Sequence, residues 1–298
     1  MRRHPVILGL IILVAMAIVF YGFFYRAGSN TGKVKRFSLN NKIGVVGVVG
    51  PIYDSIKITE ELDEFGRDSS IIAVVLRVDS PGGGVAASQE IFDAVIELKK
   101  KKKVVVSMGS IAASGGLLVA CAADKIVANP GTITGSISAI MQFANFEELL
   151  KKVGLKSSVV KSGKYKDIGS PLRDMTPEEK KIIQELVDDI YNQFVDVVAR
   201  ERKLSRQKVI EIADGRVFSG RKAKEYGLVD ELGDMAYAAK LANKLAGKDG
   251  KYDLVYPRKK RASIFDYLLE SAANQLSDSL KEKMEPWSGV SYLYYPYR

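Results

Sequence analysis

The sequence predicts an α/β domain built on a parallel sheet, preceded by one transmembrane helix and followed by a helical C-terminal extension. Three observations carry this prediction. A 20-residue run from Val6 to Tyr25 has no charge. Beyond it, short β-rich apolar runs alternate with helical spacings, the pattern of parallel strands joined by helical crossovers. From Thr176 the strand signals give way to amphipathic helical spacing.

The N-terminal run is long enough to cross a bilayer. At about 1.5 Å per helical residue it spans roughly 30 Å. Arg2 and Arg3 precede it with no acidic neighbour, the pattern of a cytoplasmic N-terminus. Arg26, Lys33, Lys35 and Arg36 follow it and weaken that bias. A cleaved signal peptide has a shorter apolar stretch and a small-residue cleavage site. This run ends in the bulky Phe23, Phe24 and Tyr25. The expectation is a retained single-pass anchor over 6–25 in the cell (inner) membrane, with residues 1–5 cytoplasmic and the body outside the cytoplasm. Residues 26–37 read as a polar linker through Gly28, Ser29, Asn30 and Gly32.

The body spans 38–257. Ile43 to Ile52 is a β-rich run closed by Gly50-Pro51, and a helical pattern follows over Ser55 to Phe65. Ile71 to Val78 is nearly all apolar, as a buried parallel strand requires. Asp79-Ser80-Pro81-Gly82-Gly83-Gly84 then reads as a sharp turn. Ala86 to Lys100 places Ile91, Val95 and Leu98 on one helical face. Val104 to Met108 is a short strand, and Ser114 to Asp124 a small-residue buried helix. Lys125 to Ala128 and Ser158 to Lys161 are further strand candidates. Thr176-Pro177-Glu178-Glu179 supplies an N-cap, a proline at the first helical position and early acids. A long helix to about Arg202 follows, then shorter ones near 205–214, 220–226 and 234–246. The basic break Arg258-Lys259-Lys260-Arg261 opens a tail, 258–298, with an amphipathic helix near 263–284 and an aromatic end from Tyr292 to Tyr297.

Composition excludes several functions. With 47% hydrophobic and 27% charged residues the chain is neither wholly disordered nor collagen-like. Most of its net charge of +10 sits at the two ends, which leaves the body close to neutral, so a nucleic-acid footprint is not expected. Cys121 is the only cysteine and His4 the only histidine. Intrachain disulfides, cysteine zinc sites, histidine metal sites, Ser-His-Asp catalysis and Cys-His catalysis are all excluded. A hydrolase made from this chain needs another base.

Two glycine-rich stretches could carry chemistry. Ser80-Pro81-Gly82-Gly83-Gly84 lies where a buried strand exits, and its N–H groups could hold an oxyanion or a phosphate. An ordinary strand-to-helix turn is the simpler reading of it. It is not a P-loop, since no Gly-Lys-Ser/Thr follows. Gly109-Ser110-Ile111-Ala112-Ala113-Ser114-Gly115-Gly116 joins a strand to a helix. Ser114 there could be a nucleophile with small neighbours and a favourable helix end, or simply the N-cap. With histidine excluded, the leading base for a serine is a lysine neutralised by burial. Ser162-Gly163-Lys164-Tyr165-Lys166-Asp167 follows a strand candidate, and composition does not choose between Lys164 and Lys166.

Together with Thr134-Gly135-Ser136, Val217-Phe218-Ser219-Gly220 and Gly227-Leu228-Val229-Asp230, these motifs resemble the signal peptide peptidase A family over roughly residues 40–250. The resemblance implies a Clp protease/crotonase-like fold, so that 38–257 would be a protease domain. It implies a serine endopeptidase with a Ser–Lys dyad: Ser114 as nucleophile, Lys166 as base, Ser136 orienting the lysine, and the N–H groups of Gly83 and Gly115 as oxyanion hole. No metal or other cofactor is implied. The implied substrates are cleaved signal peptides and other unfolded apolar segments at the membrane surface, beside membrane lipid. The short form implies a ring-shaped homo-oligomer with each dyad shared between neighbours. Leu117-Leu118 departs from the family pattern, where aromatics are common, and the tail lies outside it. Two alternatives stand beside this reading: a crotonase-like acyl-CoA enzyme, and a catalytically silent membrane scaffold of the same fold.

Overall fold

A computed structural model describes residues 13–16, 18–19, 41–257 and 291–293. The chain divides into two units, Met1–Leu39 and Asn40–Arg298. In the first, residues 13–16 and 18–19 are helical, and the apolar Leu13, Val14, Met16, Ile18 and Val19 are exposed. Among the described residues no helix is long and apolar enough to cross a membrane. Most of the Val6 to Tyr25 run, the linker 26–37 and the expected helix near 263–284 lie outside the described residues.

The second unit opens with β1 (Asn41–Val49), α1 (Ile56–Arg67), β2 (Ile71–Ser80), β3 (Gly82–Gly84) and α2 (Val85–Lys99). β4 (Lys103–Ala113), α3 (Gly115–Cys121), β5 (Lys125–Ala128), β6 (Ile133–Gly135) and α4 (Glu147–Lys152) follow. Then come α5 (Pro177–Arg202), α6 (Arg206–Ile210), β7 (Val217–Ser219), α7 (Gly220–Glu225) and β8 (Glu231–Leu232). α8 (Met235–Leu245), β9 (Tyr252–Val255) and β10 (Ser291–Leu293) close the described chain.

The main sheet runs β7-β6-β4-β2-β1-β9, with β5 joining β4 to β8. Its pairings are parallel except β6 with β7. β2 and β4 are central and buried on both faces, which is why their sequences are nearly all apolar. Side chains alternate across the sheet. Val74, Leu76 and Val78 enter the larger core with Phe65 of α1, Ile91 and Val95 of α2, Leu117 of α3 and Phe194 of α5. Ala73 and Val75 face the other way, onto Ala238, Ala239 and Ala242 of α8. Each fully buried Val or Leu contributes about 1.5–3 kcal/mol.

α5 starts where the sequence places it. Thr176 and Glu179 form a reciprocal capping box with Pro177 in the first turn, and the helix ends at Lys203 in the left-handed region, φ 54°. Three expectations need correction. β4 continues to Ala113 because Gly109 is not a turn: a Cβ there would lie 2.4 Å from Asp79 Cγ, so the glycine permits close strand approach. Ser158 to Lys161 is not a strand; among the described residues the segment has no pairing partner, and Val160 is 99% exposed. The C-terminal helices are not a separate extension, because β7, β8 and β9 return between and after them to pair with β6, β5 and β1.

Candidate active site

β4 and β6 are parallel neighbours, with Ala113 paired to Gly135. The next residue on each strand is a serine, so the register puts Ser114 and Ser136 side by side at the C-terminal ends of two strands. Both are buried, at 1% and 7% exposure. Both have positive φ, 53° and 52°, a region non-glycine residues rarely adopt. Backbone bonds hold them there: Ser114 N–H donates to Gly135 O at 2.9 Å, and Ser136 N–H to Arg216 O at 2.8 Å. Ser114 stands at the N-cap position of α3, yet its side chain makes no capping hydrogen bond. The hydroxyl is therefore not spent on the helix.

The two glycines expected to form an oxyanion hole meet here as well. A Cβ on Gly115 would lie 3.3 Å from Gly83 N. A Cβ on Gly83 would lie 2.1 Å from Ile52 O, so only glycine fits. Ile52 N–H donates to Gly82 O at 2.9 Å, and Gly84 N–H to Ile52 O at 2.8 Å. Peptide groups alternate sides along a strand, so Gly83 N–H faces the opposite edge. That edge of β3 is taken by β10, antiparallel, with Tyr292 opposite Gly83. The glycine stretch is thus a short strand whose outer edge accepts an extended segment, not a bare turn.

One polar group beside this pair carries no sequence signal. Ser88 of α2 is fully buried, and among the described residues its hydroxyl has no hydrogen-bond partner. It lies 2.4 Å from the point a Cβ on Gly115 would occupy. On a helix a serine reads as surface, and only the packing of α2 against α3 reveals it.

Lys166 sits in a turn between α4 and α5, closed by its own N–H donating to Gly163 O at 3.1 Å and by Ile168 N–H donating to Tyr165 O at 3.1 Å. Its side chain is exposed, and among the described residues no hydrogen bond or ion pair joins it to Ser114 or Ser136. The burial expected of a neutral lysine base is not supplied within the described chain. Lys164, the other candidate, is committed elsewhere. Its Nζ donates to Glu178 Oε2 at 2.5 Å, and that carboxylate pushes the lysine up to about 12. Cys121 is fully buried in the core, which pushes its thiol up to about 12, so it offers no thiolate.

A parallel α/β sheet with a strained serine at one strand end, beside a pair of glycine N–H groups, defines a class. Residues 35–133 match the Clp protease family model. The particular family follows from residues 96–249, which match the model of peptidase family S49; the chain belongs to that family. A relative from Synechocystis sp. named "Putative protease" is 52% identical over 59% of this chain and 64% of its own length. The "Putative signal peptide peptidase SppA" of Enterococcus faecium is 36% identical over 69% of this chain and 61% of its own. The chloroplastic "Serine protease SPPA" of Arabidopsis thaliana is 31% identical over 74% of this chain and 32% of its own. The chain spans less than two thirds of the length of each.

Proposed function

We propose that this protein is a membrane-anchored serine endopeptidase with a Ser–Lys dyad. The observation that carries the reading is Ser114: buried, strained to positive φ, free of a capping role and adjacent to Gly115 and Gly83. Backbone strain of order 1–3 kcal/mol persists where the surroundings impose it, and it clusters at functional sites. In this reading Lys166 Nζ, in its neutral form, takes the proton from Ser114 Oγ as the oxygen attacks the scissile carbonyl. Ser136 orients the lysine. The N–H groups of Gly83 and Gly115 hold the oxyanion, each such donor supplying about 10²–10³ in rate. The lysine then gives its proton to the leaving amine, and water repeats the cycle on the acyl-serine. No cofactor takes part.

The substrates proposed are signal-peptide remnants and other unfolded apolar segments. An extended chain can add as a strand to the β3 edge, and the β10 pairing supports that mode. The Val6 to Tyr25 run is proposed to hold the body at the outer face of the cell membrane; the helical, exposed apolar residues 13–16 and 18–19 support it. Each site is proposed to take Lys166 from a neighbouring chain in a ring. One preparation tests the core of this. The full chain should stay in the membrane through an alkaline carbonate wash. After detergent extraction it should cleave an apolar fluorogenic peptide, while Ser114→Ala should not. A washed-off chain would overturn the anchor, and an active Ser114→Ala would overturn the nucleophile.

A further inference from the structure

Lys166 is followed directly by a carboxylate, Asp167, and by two more acids at the start of α5, Glu178 and Glu179. An opposite charge within about 4–6 Å favours the charged form of a lysine. A lysine that must give up its proton is poorly served by such neighbours. In the structure each of these carboxylates is already held by another cation.

Arg173 does most of this. Its Nε donates to Asp167 Oδ2 at 2.9 Å, and its Nη2 to Asp167 O at 3.4 Å. Its Nη1 and Nη2 make a forked pair with Glu179, at 2.8 Å to Oε2 and 2.6 Å to Oε1. Nη1 also donates to Asp174 O at 3.0 Å. Lys161 Nζ donates to Asp167 Oδ1, and to Lys164 O at 2.9 Å. Glu178 accepts from Lys164 Nζ and from Tyr165 Oη. Glu179 is 3% exposed and also accepts from Thr176 N–H at 2.9 Å. From α4, Glu147 accepts from Asp174 N–H at 3.2 Å. Among the described residues no carboxylate is paired with Lys166.

Resting on the reading of Lys166 as the base, we propose that Arg173 is its positioning residue. Arg173 binds Asp167 and Glu179 together, which ties the lysine turn to the N-terminus of α5 and keeps the adjacent carboxylate from pairing with the lysine. Arginine suits the role because its planar fork grips two carboxylates and it stays charged at every working pH. The carboxylates stay charged too. Hydrogen bonds from Arg173 and Lys161 hold Asp167 well below the usual carboxylate range, and Arg173 with the Thr176 N–H pulls Glu179 down to about 2.

The test is the pH profile of kcat/KM for the full chain in detergent, with an apolar fluorogenic peptide. Arg173→Gln releases Asp167 Oδ2, with Oδ1 still held by Lys161; the released oxygen can then pair with Lys166, and the rising limb should move to higher pH. Adding Asp167→Asn to that variant should bring the limb back, because the freed carboxylate is gone. Arg173→Lys should hold the limb near its parental position while losing some rate. Asp167→Asn alone keeps the Arg173–Glu179 fork and covers the case in which Arg173→Gln does not fold; its limb should stay or move to lower pH. A limb unmoved in Arg173→Gln with rate lost equally at every pH, or one moved upward by Asp167→Asn, overturns the proposal. Lys166→Ala separates the two readings: parental rates there remove the base itself, whereas an inactive Lys166→Ala beside an unmoved Arg173→Gln limb removes only the positioning role.

Discussion

Ser114 and Ser136 occupy a backbone conformation that serine adopts only under constraint, and the two residues end adjacent strands. Their neighbourhood was partly legible in the sequence. The lack of a usable histidine points to a serine with another base, and the small residues around Ser114 point to an open approach. The strain itself has no signature in composition, because it comes from β4 and β6 being pinned side by side. The choice of lysine belongs to the same scale. Lys164 is bound to Glu178 and held charged, while Lys166 is uncommitted among the described residues. We expect Lys166→Ala to lower kcat/KM by about 10²–10⁴-fold, the usual contribution of a general base. Lys164→Ala removes an exposed ion pair and should cost less than about tenfold. In the parent, activity should rise toward alkaline pH, because the base acts only after losing its proton. An inactive Lys164→Ala beside an active Lys166→Ala would reverse the assignment. The ion pairs of Arg173 and the burial of the Ser88 hydroxyl were not legible, since no local pattern announces the packing that produces them.

At the scale of elements, apolar runs located most of the central strands and the capping box located α5. Apart from β5, which matches the Lys125 to Ala128 candidate, elements of only two to four residues fared worse. β6, β8, β9 and β10 are too short for periodicity to speak, and Ser158 to Lys161 shows that β-rich composition without a partner makes no strand. β10 is the instructive case. The sequence marks only an aromatic end from Tyr292 to Tyr297, while the structure pairs Ser291–Leu293 with Gly82–Gly84, backbone to backbone. If peptide substrates add to that same edge, the tail competes with them. Truncation after Pro257 should then lower KM for a short peptide by about two- to tenfold, as a tethered competitor is removed, and leave kcat unchanged. Steady-state kinetics on the two chains decide it: an unaltered KM would mean that substrate and β10 do not share the edge.

For the whole molecule, the exposed Lys166 and an uncovered apolar stretch belong to one region. Phe146 caps the start of α4, Leu149 lies on it, and Val153 and Val160 lie in the segment that leads from it to the lysine turn; all four are exposed. A neutral lysine needs burial, and a second copy of the chain could supply it by covering this face. Ser114 would then come from one protomer and Lys166 from the next, around a closed ring of head-to-tail contacts. Complementation separates this from a dyad built within one chain. Ser114→Ala chains keep the lysine, and Lys166→Ala chains keep the serine; either alone should be inactive. In mixed rings a working site needs the serine from a Lys166→Ala chain and the lysine from its Ser114→Ala neighbour. Random equal mixing presents that pair at about one quarter of the interfaces, so about one quarter of parental activity should return. The mixed rings would be isolated through two different affinity tags, so that only assemblies containing both chains are assayed. If every dyad were built within a single protomer, no mixture could contain an intact one. Doubly tagged rings as inactive as their parents would therefore exclude the shared site.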